Sequence, residues 1–145
     1  MSLETLFSIC NTLVLPGWLL LMIAPRWPWT GRIITGIIIT ILCLIYAVLL
    51  GRSFDPAAFK NFTSLAGIKQ LFTNDAALLA GWIHYLAFDL MTGYFIVTDA
   101  RKNKVKHAFI IPCLLFCFML GPVGLLLYFI VRLVVTKHYF TAPAR

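Results

Sequence analysis

The chain reads as an all-α integral membrane protein: four transmembrane helices in a bundle, with a short interfacial helical segment between the second and third. Three observations predict this. Of 145 residues, 61% are hydrophobic, against about 45–50% in a soluble globular chain. Only 12 Lys/Arg and 5 Asp/Glu are present, 12% of the chain, where about 25% is usual. The apolar residues also gather in four long runs, and a helix needs about 20 such residues to cross roughly 30 Å of hydrocarbon. A soluble fold of this size has too little interior to hide so much apolar surface. A soluble enzyme, a disordered tail and a disulfide-stapled secreted module are therefore excluded.

The first span covers residues 3–23, interrupted by Asn11 and Pro16 and closed by Ala24-Pro25. No basic stretch precedes it and no small-x-small site follows it, so no cleavable signal is expected. The second span, 33–50, is an uncharged run rich in Ile and Leu. Residues 51–75 form the long connection. Within it Asp55-Pro56 resembles an N-cap followed by proline at the first helical position. Leu65, Ile68 and Phe72 then recur along one helical face after Ser64, so 55–73 is read as short interfacial helices; a solvated loop is the equal alternative. The third span, 76–97, with Asp75 placed to cap it, is alone in carrying mid-span ionisable residues, His84 and Asp89. The fourth, 108–131, follows His107 and is broken by Pro112, Gly121-Pro122 and Gly124. The whole, 1–145, is one membrane domain.

The net charge of +7 does not point to nucleic acid, because the cations cluster between apolar runs, where juxtamembrane charge faces anionic headgroups. With four crossings, both termini and the long connection share one side. That side would hold Arg52, Lys60, Lys69, Arg132, Lys137 and Arg145, and the other Arg26, Arg32, Arg101, Lys102, Lys104 and Lys106. The second set lies in two short loops, which favours those loops as cytoplasmic. The four cysteines all fall inside apolar runs and read as small buried hydrophobes. His84, His107 and His138 show no ligand spacing, so no metal is expected.

An ionisable residue at membrane depth costs about 2.5–3.5 kcal/mol on insertion scales. Asp89 thus stands out as a functional residue, the bland alternative being a hydrogen bond to a neighbouring helix. On an ideal helix it shares a stripe with Trp82, Tyr85, Thr92 and Gly93. His84 points about 140° away from it, so the two cannot form a dyad on one face, and an interhelical hydrogen bond is an equal reading for His84. Asn11 is the deepest polar residue of the first span, placed to orient a ligand or brace the third span. Cys113, Cys117, Gly121 and Gly124 make a stripe of small residues suited to close helix packing. The Gly121-Pro122 break marks a place where a broken helix meets protein or lines a cavity.

The string Leu79-Ala-Gly-Trp-Ile-His-Tyr-Leu-Ala-Phe-Asp89, then Asp99-Ala, His107 and Pro112-Cys-Leu-Leu-Phe-Cys-Phe-Met-Leu-Gly-Pro-Val-Gly124 resembles the abscisic-acid-deficient-four family, as does Asn11-Thr-Leu-Val-Leu-Pro16 with Ala24-Pro25. The resemblance covers nearly the whole chain. Plant members are linked to neoxanthin formation from violaxanthin in plastid membranes, an isomerisation in which an epoxide opens and an allene forms. It therefore implies a carotenoid or related isoprenoid ligand, no redox cofactor, and, without a plastid-targeting extension, a compact bacterial member in the inner membrane.

Epoxide opening needs an acid. Apolar surroundings favour a protonated carboxyl, and Asp89 is the sole mid-membrane one. The expected catalytic residues are thus Asp89 as acid and His84 as proton relay. Trp82 and Tyr85 would stabilise positive charge over their rings, with Asn11, Thr92 and Pro122 completing the ligand site. A non-catalytic carotenoid- or lipid-binding protein, or a partner of a membrane enzyme or of a second copy, is the alternative. A proton conduit ranks last, because no repeat of the His84/Asp89 pattern occurs in the first two spans.

Overall fold

The computed structural model describes residues 2–53 and 56–137; the expected Asp55 cap, His138 and Arg145 lie outside them. Helix α1 runs Leu3–Ile23, capped by Ser2, whose Oγ accepts from the Thr5 amide at 3.1 Å. Its buried face, Cys10, Val14, Gly17, Trp18 and Leu21, has the three- and four-residue spacing of one helical stripe. At Gly17 an added Cβ would lie 2.9 Å from a Leu90 methyl, so the glycine sets how closely α1 crosses its neighbour. Pro25 follows the end of α1, and the Thr30 hydroxyl donates to the Ala24 carbonyl at 2.7 Å, closing the turn.

The second rod comprises α2 (Thr30–Ile33), a π-helical turn (Ile34–Ile39) and α3 (Thr40–Ser53). It starts three residues before the expected span. The wide turn follows no proline or glycine pair; Thr40 Oγ1 donates to Thr35 O at 2.9 Å across it. A 3-10 helix, Pro56–Thr63, and α4, Leu65–Leu71, follow. Ser64 caps α4 by accepting from the Gly67 amide at 3.1 Å. The connection is thus helical rather than an open loop. None of the α4 residues is buried, and Phe72 anchors the segment against Gly81.

Helix α5, Asp75–Lys102, is longer than the expected 76–97. Asn74, not Asp75, is its cap: Asn74 Oδ1 accepts from the Ala76 and Ala77 amides at 3.0 and 3.1 Å, while Asp75 sits in the first turn. α5 is the central element, packed against α1, α3 and α6. Its partners bury Asp89 and Asp99, while His84 stays exposed. Among the described residues, three helices are long and apolar enough to cross a membrane: Leu3–Ile23, Thr30–Arg52 and His107–Thr136.

The last of these, α6 (His107–Thr136), does not run straight. Leu120 leaves the helical region with φ −144° and ψ 49°, and the two arms on either side of it fold back on each other. A Cβ on Gly124 would meet the backbone of Cys117 and the carbonyl of Cys113, which a straight helix holds about 10 and 16 Å away. Both arms lie along α5 in opposite directions. Met119 accepts from the Tyr85 hydroxyl at 2.9 Å near the turn. Further along the second arm, Tyr128 and Arg132 reach Asp99. The expected straight span over 108–131 is therefore folded back on itself as a helical hairpin. One side of the break is buried, with Gly121 against Asp89 and Gly124 against Cys117, and irregular backbone at membrane depth is tolerated where it meets protein; Leu120 and Pro122 stay exposed at the tip.

Asp99, expected in a loop, is instead buried in α5. Its Oδ2 accepts from the Tyr128 hydroxyl at 2.5 Å and from Arg132 Nη1 at 2.9 Å, clamping the second arm to α5. The reversal also corrects the expected charge balance. The end of α6 returns to the end of the molecule that holds the α1–α2 and α5–α6 turns. That end carries Arg26, Arg32, Arg101, Lys102, Lys104, Lys106 and Lys137, against Arg52, Lys60 and Lys69 at the other. Removing one partner of a buried ion pair costs about 3–5 kcal/mol, whereas replacing both by apolar groups is often nearly neutral. Arg132→Met is accordingly expected to lower the thermal unfolding midpoint in detergent sharply, and the Asp99→Leu/Arg132→Met pair to restore most of it.

Candidate functional site

The site is built where the α6 break meets the middle of α5. Pro122 has no amide proton, so it cannot bond the Phe118 carbonyl, and its ring disfavours a continuous helix. The chain breaks just before it. The carbonyl of Met119, no longer committed to the helix ladder, accepts from Tyr85 Oη. Gly121 lets Asp89 come close: a Cβ there would collide with Asp89 Oδ1. The Asp89 carboxyl, 9% exposed, lies against Gly121 and close to Tyr85. Its Oδ2 is buried without a hydrogen-bonding partner. On the other side of the turn, the Cys117 thiol donates to the Asp89 main-chain carbonyl at 3.6 Å.

Tyr85 connects this carboxyl to a groove of about 400 Å³ between α1, α5 and the hairpin tip. Its walls include Asn11, Trp82, Tyr85, Phe118 and Met119. Trp82 stacks on Tyr85 with ring centroids 5.2 Å apart, and its indole N–H donates to Asn11 Oδ1 at 3.1 Å. Asn11 Nδ2 in turn donates to the Phe7 carbonyl at 2.9 Å, which fixes the amide. Asn11 thus braces α5 and lines the groove at once. Trp82 and Met119 keep 40% and 65% of their surface exposed, so the groove opens on the lipid-facing side.

The expected residues therefore divide. Asp89, Tyr85, Trp82 and Asn11 are brought together. His84 is not: it is exposed and packs with Tyr46 and Phe88, at ring-centroid distances of 6.0 and 4.4 Å, on the side of α5 that faces α3. Thr92 spends its hydroxyl on the Phe88 carbonyl at 2.8 Å within its own helix. Pro122 is exposed at the hairpin tip and contributes through the break it causes. Sequence reasoning missed the Met119 carbonyl and the Gly121 amide as site groups. Both are main-chain atoms, and the Gly-Pro pair was the one signal for them.

These features define a helical membrane protein with a buried carboxyl held at the tip of a re-entrant hairpin, beside a lipid-facing apolar groove. Residues 5–128 match the family described as ABA DEFICIENT 4-like, and the chain belongs to that family. It is 29% identical over 145 aligned residues to Protein ABA DEFICIENT 4, chloroplastic, of Arabidopsis thaliana, an alignment that takes in 94% of this chain and 64% of that protein. No solved structure matches the chain. The three membrane-length apolar helices support the membrane setting, while the relative is chloroplastic and the expected bacterial inner membrane gains no support.

Adding a methyl group where the backbone meets Asp89 overpacks the site, at a typical cost of about 1–3 kcal/mol. Gly51 has open space around it, and glycine inside a helix costs roughly 0.5–1 kcal/mol relative to alanine. Gly121→Ala is expected to lower the unfolding midpoint in detergent, while Gly51→Ala leaves it unchanged or raises it.

Proposed function

We propose that this protein is a cofactor-independent isomerase of a carotenoid or related isoprenoid lipid, opening an epoxide by proton transfer from Asp89 through Tyr85. Family membership supports the ligand class. The observation that carries the chemistry is a buried carboxyl with an unpaired Oδ2, close to a tyrosine that lines an apolar groove whose Trp82 and Met119 walls are exposed. A long apolar ligand would enter sideways from the lipid and lie along Trp82, Phe118 and Met119.

In the proposed step the Tyr85 hydroxyl rotates from the Met119 carbonyl and gives its proton to the epoxide oxygen, while protonated Asp89 replaces it. The carbon–oxygen bond breaks with its electron pair going to oxygen, leaving a carbocation. The stacked Trp82 and Tyr85 rings stabilise that positive charge. A proton then leaves a neighbouring carbon, its bonding electrons form the new double bond, and the proton returns to Asp89 by the same route. One proton is lent and one recovered, so the ligand keeps its formula and no redox group takes part. His84 lies on the far side of α5 and has no place in this relay.

The charge distribution also supports an orientation. With seven described cations at the turn-bearing end and three at the other, besides the ion-paired Arg132, the positive-inside rule puts the turn-bearing end on the cytoplasmic or equivalent face. The helical connection 56–71 then lies against the opposite surface.

Proton transfer by a positioned side chain contributes about 100- to 10,000-fold. In liposomes containing an epoxy-carotenoid, the wild-type protein is expected to form a product of equal mass and altered absorption. Asp89→Asn is expected to slow this by roughly 100-fold or more and Tyr85→Phe by a comparable factor, while His84→Ala retains most of the rate. Unchanged conversion by Asp89→Asn would remove the proposed acid; tight binding of unchanged pigment by every form would favour a binding protein instead.

A further inference from the structure

A second cavity lies at the other end of α5. It measures about 360 Å³ and is enclosed by the end of α1, the last turn of α5 and the start of α6. Four cations line it: Arg26, Arg101, Lys104 and Lys106. Its floor is apolar, formed by the buried residues Ala100, Val105 and Ile110. The walls are tied together, since Arg101 Nη1 donates to the Pro25 carbonyl at 3.4 Å and His107 Nε2 bonds the Met22 carbonyl at 2.9 Å.

No acid of the described chain neutralises these charges. Glu4 and Asp75 line a cleft at the opposite end of the molecule. Asp89 faces the hairpin tip, and Asp99 is taken by Tyr128 and Arg132. The neighbouring Arg32 is engaged differently, its guanidinium lying 4.9 Å from the centre of the Trp29 ring. α6 also begins with no side-chain cap, so its first amides add to the positive potential. Lys104 holds φ 55°, a left-handed conformation that ordinarily favours glycine.

We propose that this pocket binds the phosphate group of an anionic lipid. Four exposed cations line one cavity, and none is paired with an acid of the described residues, so the rim attracts an external anion. The apolar floor suits the glycerol and first methylenes attached to a lipid phosphate better than it suits a free ion. The site stands at the membrane–water boundary of the basic end, where a headgroup would sit with its chains passing down the lipid-facing side of α6.

The test uses the whole protein, delipidated in detergent, with native mass spectrometry of bound phosphatidylglycerol against phosphatidylcholine and a separate arm with inorganic phosphate alone. An Arg26→Gln/Lys104→Gln/Lys106→Gln variant removes three cations from the pocket, and Arg52→Gln/Lys60→Gln/Lys69→Gln removes three from the opposite end. Retention of phosphatidylglycerol over phosphatidylcholine is expected in the wild type and in the opposite-end variant, and a loss of about tenfold or more in the pocket variant. Thermal unfolding checks that both variants fold. Saturable binding of inorganic phosphate that the pocket variant alone loses, without lipid preference, would support the phosphate site with a soluble source. Equal loss in both variants, or no loss in the folded pocket variant, would overturn the proposal.

Discussion

The reversal of α6 at Leu120 is the constraint on which the other features rest. A proline that cannot donate, a glycine before it and a second glycine three residues on allow two helical arms to lie back to back, with Gly124 against Cys117 and Cys113. Two arms of this kind present main-chain groups at membrane depth, and each such group left unpaired costs several kcal/mol in hydrocarbon. α5 supplies the partners: Tyr85 for the Met119 carbonyl, and Asp89 opposite the Gly121 amide. The same reversal brings Tyr128 and Arg132 to Asp99 and returns the end of α6 to the basic end of the molecule.

Two buried carboxyls on one helix are treated in opposite ways. Asp99 receives an arginine and a tyrosine, and the resulting clamp holds the second arm in place. Asp89 receives no cation and keeps Oδ2 unpaired. A buried polar group left without a partner costs about 1–3 kcal/mol; Arg132 Nε in the clamp is unpaired too, but there the two charges offset each other, whereas no cation of the described residues faces Asp89. The contrast separates the two roles on physical grounds: charge pairing where the fold must be locked, an incompletely satisfied acid beside the groove.

Much of this was legible in the sequence. The membrane class followed from composition, the depth of Asp89 from its place in an apolar run, and the weak point of α6 from Gly121-Pro122. The direction taken after that break was not legible, because a largely apolar stretch of 30 residues has the same composition whether it crosses a bilayer or folds back within it. Nor was the Asp99–Arg132 pair: 33 residues separate them, and each alone looked like a span-end charge. The Trp82–Asn11 bond, across 71 residues, depends on how α1 packs on α5, which no helical periodicity encodes. His84 illustrates the reverse. Its 140° offset from Asp89 was readable, and the fold keeps that offset by turning it toward Tyr46 and Phe88.

Side-specific labelling tests the re-entrant hairpin most directly. In a Cys43→Ser background, single cysteines at Ser2, Lys104 and Lys137 would be exposed to a membrane-impermeant maleimide in oriented vesicles. The hairpin predicts that Lys137→Cys labels from the same side as Lys104→Cys and from the side opposite to Ser2→Cys. Labelling of Lys137→Cys together with Ser2→Cys would mean that α6 crosses the membrane, and would contradict the fold-back on which the site depends.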